Sequence, residues 1–133
     1  MKKVLVADQE EALCLLYNEE LTEEGYDVVM ISDPKEVMQA VEDASPHLIL
    51  LDIRMNEDDS GILLRDIRSS AGDIPVILCT TYSPSKPSLE YWGVDDIVMK
   101  SSNFRDLKAK IHRLLGNEEK YVSPGTGPEY ARG

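Results

Sequence analysis

Three side chains that could bind a metal ion and a phosphoryl group each follow a short apolar segment of this chain. Asp8, Asp52 and Lys100 come after the segments Val-Leu-Val-Ala, Leu-Ile-Leu-Leu and Asp-Ile-Val-Met. Such segments are typical of buried strands, and ligands of parallel α/β sheets bind beyond the carboxyl ends of the strands. Carboxylates are ligands for hard cations, and an ammonium group neutralises phosphoryl oxygens. The spacing therefore predicts one shared site at an edge of the sheet.

Each of these residues also has a simpler structural explanation. Aspartate is common in turns, and a single lysine is usually solvated. Thr80, which ends a further apolar segment, is a good strand former. The joint placement of four such side chains at four strand ends nevertheless favours a functional site, because several independent features then agree.

The apolar segments alternate with amphipathic ones, which predicts an α/β fold. Strands are expected near residues 3–8, 27–31, 47–52, 75–80 and 96–99. Their almost uninterrupted apolar character indicates burial on both faces, and hence a parallel sheet covered by helices on both sides. Right-handed crossover connections reduce the possible topologies to a doubly wound sheet.

The expected helix boundaries agree with capping chemistry. Gly25 is predicted to end the first helix, Asp33 with Pro34 to begin the second, and Asn103 to begin the last. The apolar face of the first helix is predicted to contain Leu13, Leu16, Tyr17 and Leu21.

The connection between Thr80 and Gly93 differs from the others because it contains Pro84 and Pro87. Proline lacks an amide donor and interrupts a regular helix. We therefore expect a shortened fourth helix of one or two turns, near residues 87–92.

The bulk composition is that of one acidic globular domain. The chain has 133 residues, 42% of them hydrophobic, and a formal net charge of −11. That charge argues against nucleic-acid binding, which needs clustered lysine and arginine. Cys14 and Cys79 lie outside any metal or redox motif and are interpreted as core residues.

We expect a cytoplasmic protein without membrane insertion. No signal peptide is visible, and no apolar segment approaches the roughly 20 residues of a membrane span. After Leu115 the composition changes to one typical of linkers. The predicted boundaries are 1–116 for the folded domain and 117–133 for a tail or linker.

Five segments, in order along the chain, resemble the motifs of one known family. They are Val-Leu-Val-Ala-Asp8, Leu-Ile-Leu-Leu-Asp52-Ile-Arg-Met, Ser60-Gly61, Val-Ile-Leu-Cys-Thr80 and Gly93-Val-Asp-Asp-Ile-Val-Met-Lys100. Over about residues 3–115 the chain resembles the receiver domain of two-component response regulators. The resemblance implies a flavodoxin-like, five-stranded parallel sheet with the strand order 2-1-3-4-5.

The resemblance also implies a phosphorelay signalling protein whose phosphoacceptor is Asp52. A sensor histidine kinase or a histidine phosphotransfer protein would supply the phosphoryl group. Lys100 would pair with the phosphoryl oxygens, and Thr80 would donate its hydroxyl group to them. Residues 116–133 are too few for an output domain, so either an unidentified downstream protein would read the conformational change or the chain is a fragment of a longer regulator. Beyond its own phosphorylation and dephosphorylation, the domain is not expected to be an enzyme.

The family uses Mg²⁺, which favours one or two carboxylates and keeps several waters. The resemblance assigns Asp8, Asp52 and the backbone carbonyl of Arg54 as ligands. Family members usually carry a second acid directly after the first, whereas this chain has Gln9, whose amide oxygen is an uncharged and weaker donor. We therefore expect weak Mg²⁺ binding.

Further positions depart from the family pattern. Thr81 is bulkier than the usual small residue and is expected to narrow access to the phosphoryl group. Ile97 takes the place of a switch aromatic, so ring rotation at that position cannot accompany movement of Thr80. Ser101 replaces the proline that usually follows the lysine, and proline is also missing from the loop Met55–Gly61.

These departures keep three alternatives open. The main one is a degenerate receiver that binds partners without being phosphorylated, supported by Gln9, the proline missing from the loop after Asp52, Ile97 and the shortened fourth helix. A small phosphatase with an aspartyl nucleophile is disfavoured, because Arg54 stands where a second acid would be needed. A nucleotide-binding module is disfavoured, because no glycine-rich loop follows Asp8.

Overall fold

The computed structural model of this chain describes residues 1–52, 62–80, 93–100 and 103–116. The strands are β1 (Lys3–Ala7), β2 (Asp27–Ile31), β3 (Leu48–Asp52), β4 (Val76–Thr80) and β5 (Asp96–Met99). The helices are α1 (Glu11–Glu23), α2 (Val37–Ala44), α3 (Ile62–Ala71) and α4 (Phe104–Leu114), with a 3₁₀ turn (Pro34–Glu36) before α2. Each strand lies within one residue of its predicted bounds. The shortened helix expected near 87–92 and the tail 117–133 fall outside the described residues.

These strands form one parallel sheet in the order β2-β1-β3-β4-β5, which confirms the doubly wound, flavodoxin-like fold. Asp52 lies opposite Cys79 of β4, and Thr80 lies opposite Met99 of β5. Because the strands are parallel, their carboxyl ends meet at one edge of the sheet. The residues that end or follow neighbouring strands are therefore brought together there.

The sheet separates two apolar cores. Alternate residues of β1 contribute to opposite cores: Val4 and Val6 pack with α1 and α4, whereas Leu5 and Ala7 pack with α2 and α3. Every residue of β3 and of β4 is buried. Helices on both faces thus account for the uninterrupted apolar segments of the sequence. Both cysteines are buried free thiols in the core beneath α1 and α4, as expected.

The predicted helix ends are present. Oδ1 of Asp33 accepts a hydrogen bond from the amide of Lys35 at 2.9 Å, directly before the 3₁₀ turn. Oδ1 of Asn103 accepts one from the amide of Asp106 at 3.2 Å, at the start of α4. Gly25 follows α1 with a φ of +94°, a left-handed conformation that favours glycine.

The apolar face of α1 is narrower than the sequence predicted. Cys14, Tyr17 and Leu21 are buried, but Leu15 and Leu16 are exposed, so the assignment of Leu16 to the core was wrong. Successive helical residues point in directions about 100° apart, and the large ring of Tyr17 takes the direction that faces the core. Within the described ranges, no helix is long and apolar enough to cross a membrane.

Arg68 of α3 joins the amino-terminal ends of β4 and β5. Its guanidinium group donates to the carbonyl oxygens of Ile74 and, at 2.8 Å, Gly93, and it pairs with Oδ2 of Asp95 at 3.0 Å. The same Asp95 oxygen accepts a hydrogen bond from the amide of Val76 at 2.7 Å. One charged group therefore ties α3 to the starts of two strands, at the sheet edge opposite the predicted site.

Candidate functional site

Backbone hydrogen bonds fix Asp8 at the end of β1. Its amide donates to the carbonyl oxygen of Ile31 at 3.0 Å, which extends the pairing with β2 by one residue. Its carbonyl oxygen accepts a hydrogen bond from Sγ of Cys14 at 3.2 Å, and Oδ1 accepts one from the amide of Glu10 at 2.9 Å. The carboxylate is buried and held in one orientation by its own chain neighbours.

Lys100 reaches both predicted carboxylates. Nζ lies 3.0 Å from Oδ2 of Asp8 and 3.2 Å from Oδ1 of Asp52. The side chains are 7% exposed for Lys100, 2% for Asp8 and 1% for Asp52. The three headgroups therefore form one buried ion cluster, and the alternative of a solvated Lys100 is wrong.

Thr80 is buried next to this cluster. Its carbonyl oxygen accepts a hydrogen bond from the amide of Lys100 at 2.6 Å, just beyond the pairing of β4 with β5. This backbone hydrogen bond links Thr80, which is expected to supply a hydroxyl group to the site, with Lys100, which supplies the ammonium group. Four of the predicted site residues, Asp8, Asp52, Thr80 and Lys100, share one end of the sheet.

Burial and charge act in opposite directions on the ionisation of the cluster. Burial raises the pKa of the Asp8 carboxyl group, and the charge of Asp52 adds to that rise, while hydrogen bonds from Glu10 and Lys100 reduce it. Burial lowers the pKa of the Lys100 ammonium group, but the hydrogen bond to Asp8 and the charges of Asp52 and Asp8 outweigh burial, so that pKa is raised. Lys100 therefore stays charged at neutral pH and can neutralise an incoming anion.

The residues beneath the cluster stay protonated. Burial raises the pKa of the Cys79 thiol to about 12, although a hydrogen bond from Tyr17 lowers it in part. Burial also raises the pKa of Tyr17, whose ring meets Phe104 edge-on with 5.6 Å between centroids. The anionic groups in the described part of the site are therefore carboxylates and not a thiolate, which agrees with oxygen chemistry and a hard cation.

Asp8 and Asp52 are the buried carboxylates of the described residues that could hold Mg²⁺. In the described ranges, no group of three or more His, Cys, Asp and Glu side chains is arranged to bind a metal. Two carboxylates are sufficient for Mg²⁺, which keeps several waters and does not need an all-protein cage. The donor set therefore fits this ion, whose charge would compete with Lys100 for the same oxygens.

The remaining predicted site residues are less informative. Gln9 is exposed, and Ile97 is partly buried against the core beneath α2 and α3. Arg54, Thr81 and Ser101 lie outside the described residues, as does the loop Met55–Gly61.

Glu10 contacts the cluster but was not predicted as a site residue. Oε1 of Glu10 lies 3.4 Å from Nζ of Lys100. The sequence signal for this contact is the position of Glu10 two residues after Asp8, and by its spacing alone Glu10 would be expected to begin the first helix. Contact with Lys100 depends on how the first turn of α1 is oriented against β5, which a local pattern does not encode.

Comparison with known proteins agrees with this geometry. The model of the response regulator receiver domain matches residues 4–112. The alkaline phosphatase synthesis transcriptional regulatory protein PhoP of Bacillus subtilis is 30% identical over 121 residues, which are 89% of this chain and 50% of that protein. The chain spans about half the length of the curated relatives it matches.

Solved receiver structures have the same architecture. A CheY-like receiver domain protein of Methanospirillum hungatei superposes with a TM-score of 0.79 at 27% identity, covering 90% of this chain and 98% of that one. The response regulator TrrA of Thermotoga maritima, solved in complex with Mg(2+)-BeF, gives 0.76 at 35% identity, covering 86% and 99%. The fold, the ordered motifs and the match over residues 4–112 lead to one assignment: this chain belongs to the response regulator receiver domain family.

Proposed function

We propose that this domain is a phosphorylation switch in which Asp52 accepts a phosphoryl group from the phosphohistidine of a sensor histidine kinase or a phosphotransfer protein. The observation that carries the proposal is the position of Lys100, whose buried ammonium group lies within 3.2 Å of the carboxylates of both Asp8 and Asp52. A cation held there is ready to neutralise the charge that develops on phosphoryl oxygens.

The proposed transfer is a displacement at phosphorus. A carboxylate oxygen of Asp52 forms a new bond to phosphorus as the bond from phosphorus to the histidine nitrogen breaks, and the histidine keeps that bonding pair. The product is an aspartyl phosphate. Lys100 pairs with the phosphoryl oxygens, and the hydroxyl group of Thr80 donates to them, which draws the end of β4 towards the phosphoryl group.

Asp8 and Asp52 would hold Mg²⁺, together with the backbone carbonyl of Arg54 and, weakly, Gln9. The bound ion would supply positive charge against the transferring phosphoryl oxygens. Support comes from the two buried carboxylates here and from the complex of the Thermotoga relative with Mg(2+)-BeF. Because Gln9 brings no charge, we expect weaker Mg²⁺ binding than in relatives with a second acid.

A protein partner is proposed to approach beside the site. A groove of about 230 Å³ is lined in part by Cys14, Leu15, Met30 and Ser32, and it contains two exposed apolar side chains, Leu15 and Met30. Sγ of Cys14 donates a hydrogen bond to the carbonyl oxygen of Asp8, so this groove adjoins the cluster. The acidic Glu11 also lines this groove, and the chain carries a net charge of −11. Apolar contact area beside a negative charge suits a partner with apolar and basic residues.

Exposure to a small phosphodonor tests the proposal. Wild-type protein incubated with acetyl phosphate and Mg²⁺ is expected to gain the mass of one phosphoryl group, and Asp52→Ala is expected to gain none. Asp66→Ala, which removes an exposed acid of α3, serves as the matched control and should be labelled like wild type. Equal labelling of wild type and Asp52→Ala would show that another residue is the phosphoacceptor.

The second candidate function is a degenerate receiver that binds partners without phosphorylation. Exposed Gln9, which brings no carboxylate to the cluster, favours it. A wild-type protein that gains no mass from acetyl phosphate and does not bind beryllofluoride with Mg²⁺ would support this alternative. In either case we propose that the domain catalyses no reaction beyond its own phosphorylation and dephosphorylation.

A further inference from the structure

We propose that Glu10 is a positioning residue of the Asp8–Asp52–Lys100 cluster and compensates in part, one position later, for the second acid that the family carries where this chain has Gln9. The inference rests on the proposed function of that cluster and extends it to a residue outside the family motif. In this role the carboxylate of Glu10 orients Lys100 and adds negative charge for the divalent ion.

Glu10 contacts the cluster through both its backbone and its side chain. Its amide donates to Oδ1 of Asp8 at 2.9 Å, and its Oε1 lies 3.4 Å from Nζ of Lys100. Lys100 thus has carboxylate oxygens of Asp8, Asp52 and Glu10 at 3.0, 3.2 and 3.4 Å. An ammonium group has three N–H donors, so three carboxylates match its capacity.

The backbone of Glu10 explains why its side chain can serve the site. Glu10 is the N-cap of α1, in an extended conformation with φ −90° and ψ 105°. Its carbonyl oxygen accepts hydrogen bonds from the amides of Leu13 and Cys14 at 3.1 and 3.0 Å. Its side chain makes no capping hydrogen bond, and it contacts Lys100 instead. The helix start therefore fixes the backbone, while the carboxylate remains with the cluster.

The charge of the site follows from this geometry. Asp8, Asp52 and Glu10 against Lys100 give a net charge of −2 when all four groups are ionised, whereas the cluster without Glu10 carries −1. The side chain of Glu10 is 54% exposed and lies at the rim of the cluster. A half-exposed carboxylate at the rim can accept a hydrogen bond from a water of a bound Mg²⁺, which keeps much of its hydration.

Mg²⁺ titration of the full unphosphorylated chain by calorimetry tests the charge role. Glu10→Gln is expected to weaken Mg²⁺ binding about tenfold, the lower end of the effects of groups that act on a metal through its ligands. Glu11→Gln, one residue further along and also exposed, removes the same charge and is expected to change affinity less than about twofold. Adding Gln9→Asp to Glu10→Gln is expected to restore the affinity. Equal weakening by Glu10→Gln and Glu11→Gln would overturn the proposal.

The Lys100 contact is tested without metal, by the NMR signal of the Lys100 ammonium group. Glu10→Gln is expected to shift that signal, and Glu11→Gln is expected to leave it unchanged. If Lys100 responds to Glu10→Gln but wild type binds no Mg²⁺, the metal part of the proposed function fails and the positioning contact stands. If the NMR signal of the Lys100 ammonium group does not shift in Glu10→Gln, the positioning role is overturned, whatever the affinity for Mg²⁺.

Discussion

Lys100 and Lys108 each contact more than one carboxylate, but in different surroundings. Lys100 bridges Asp8 and Asp52 at the carboxyl edge of the sheet, where all three side chains are buried. Lys108 of α4 lies 2.8 Å from Oε1 of Glu20 and 3.5 Å from Oε2 of Glu24. In this second cluster the side chains are 15% exposed for Lys108 and about twice as exposed for its partners, at 31% and 28%.

The two clusters differ in what determines the pKa of the lysine. For Lys108 the hydrogen bond to Glu20 is the largest influence; burial is the second and opposes it, but the pKa is raised on balance. For Lys100 burial is the largest single influence and would lower the pKa, but the hydrogen bonds and charges of Asp8 and Asp52 reverse it. The same residue types therefore form a partly exposed ion pair around Lys108 and a buried cluster around Lys100, in which each charge depends on the others. The degree of burial, rather than the residue types, determines how strongly the charges of each cluster affect one another.

Removal of each lysine is expected to give the largest contrast. Lys100→Met leaves two buried carboxylates facing each other, and we expect a loss of about 3 kcal/mol in the free energy of unfolding at pH 7 without divalent cations. Lys108→Met is expected to lose less than about 1 kcal/mol, because its partners are solvated. Urea unfolding followed by circular dichroism measures both. Added Mg²⁺ should recover stability in Lys100→Met but not in Lys108→Met, and equal losses would contradict the comparison.

Removal of one acid from each cluster is expected to give effects of opposite sign. Asp52→Asn removes a buried charge that raises the pKa of Asp8 while Asp8 still pairs with Lys100. We expect it to stabilise the domain at neutral pH by about 1 kcal/mol. Glu20→Gln removes only an attraction and should destabilise by less than about 0.5 kcal/mol. Thermal unfolding of the two variants beside wild type measures the signs, and a destabilised Asp52→Asn would show that attraction to Lys100 dominates.

The smallest expected effect is the alkaline pH dependence of the surface cluster. The pKa of Lys108 is raised above its ordinary value of 10.5, so the folded state holds this proton more tightly than the unfolded state. Its stabilisation, about 0.5 kcal/mol, is present in full below pH 10.5 and disappears as the pH rises through the raised value. The stability difference between wild type and Lys108→Met should therefore vanish on the alkaline side. If the stability difference persisted at alkaline pH, it would come from apolar packing of the Lys108 side chain and not from its charge.

Much of the fold and the centre of the site could be predicted, because each depends on short sequence segments. Uninterrupted apolar runs before Asp8 and Asp52 indicate strands buried on both faces, and parallel pairing brings their ends together. Caps at Asp33 and Asn103 depend on neighbouring amides only. The meeting of Lys100 with two aspartates then follows from the strand order and needs no detailed side-chain geometry.

Other features depend on contacts distant in sequence and could not be predicted. Leu16 is as apolar as Leu21, but the side of α1 that faces the core carries Cys14, Tyr17 and Leu21. Glu10 meets Lys100 across ninety residues of sequence, at a distance set by the tilt of a helix start against a strand end. Exposure of Gln9 follows from that same local turn.

Arg68 has a consequence for how the domain can move. Its guanidinium group holds the starts of β4 and β5 together through hydrogen bonds and an ion pair, so those strand ends are expected to move least. At the far ends the amide of Lys100 donates to the carbonyl oxygen of Thr80, so a pull on either residue is expected to displace both strand ends together. The amplitude of such a motion grows with distance from Arg68, so it is greatest where a phosphoryl group would act.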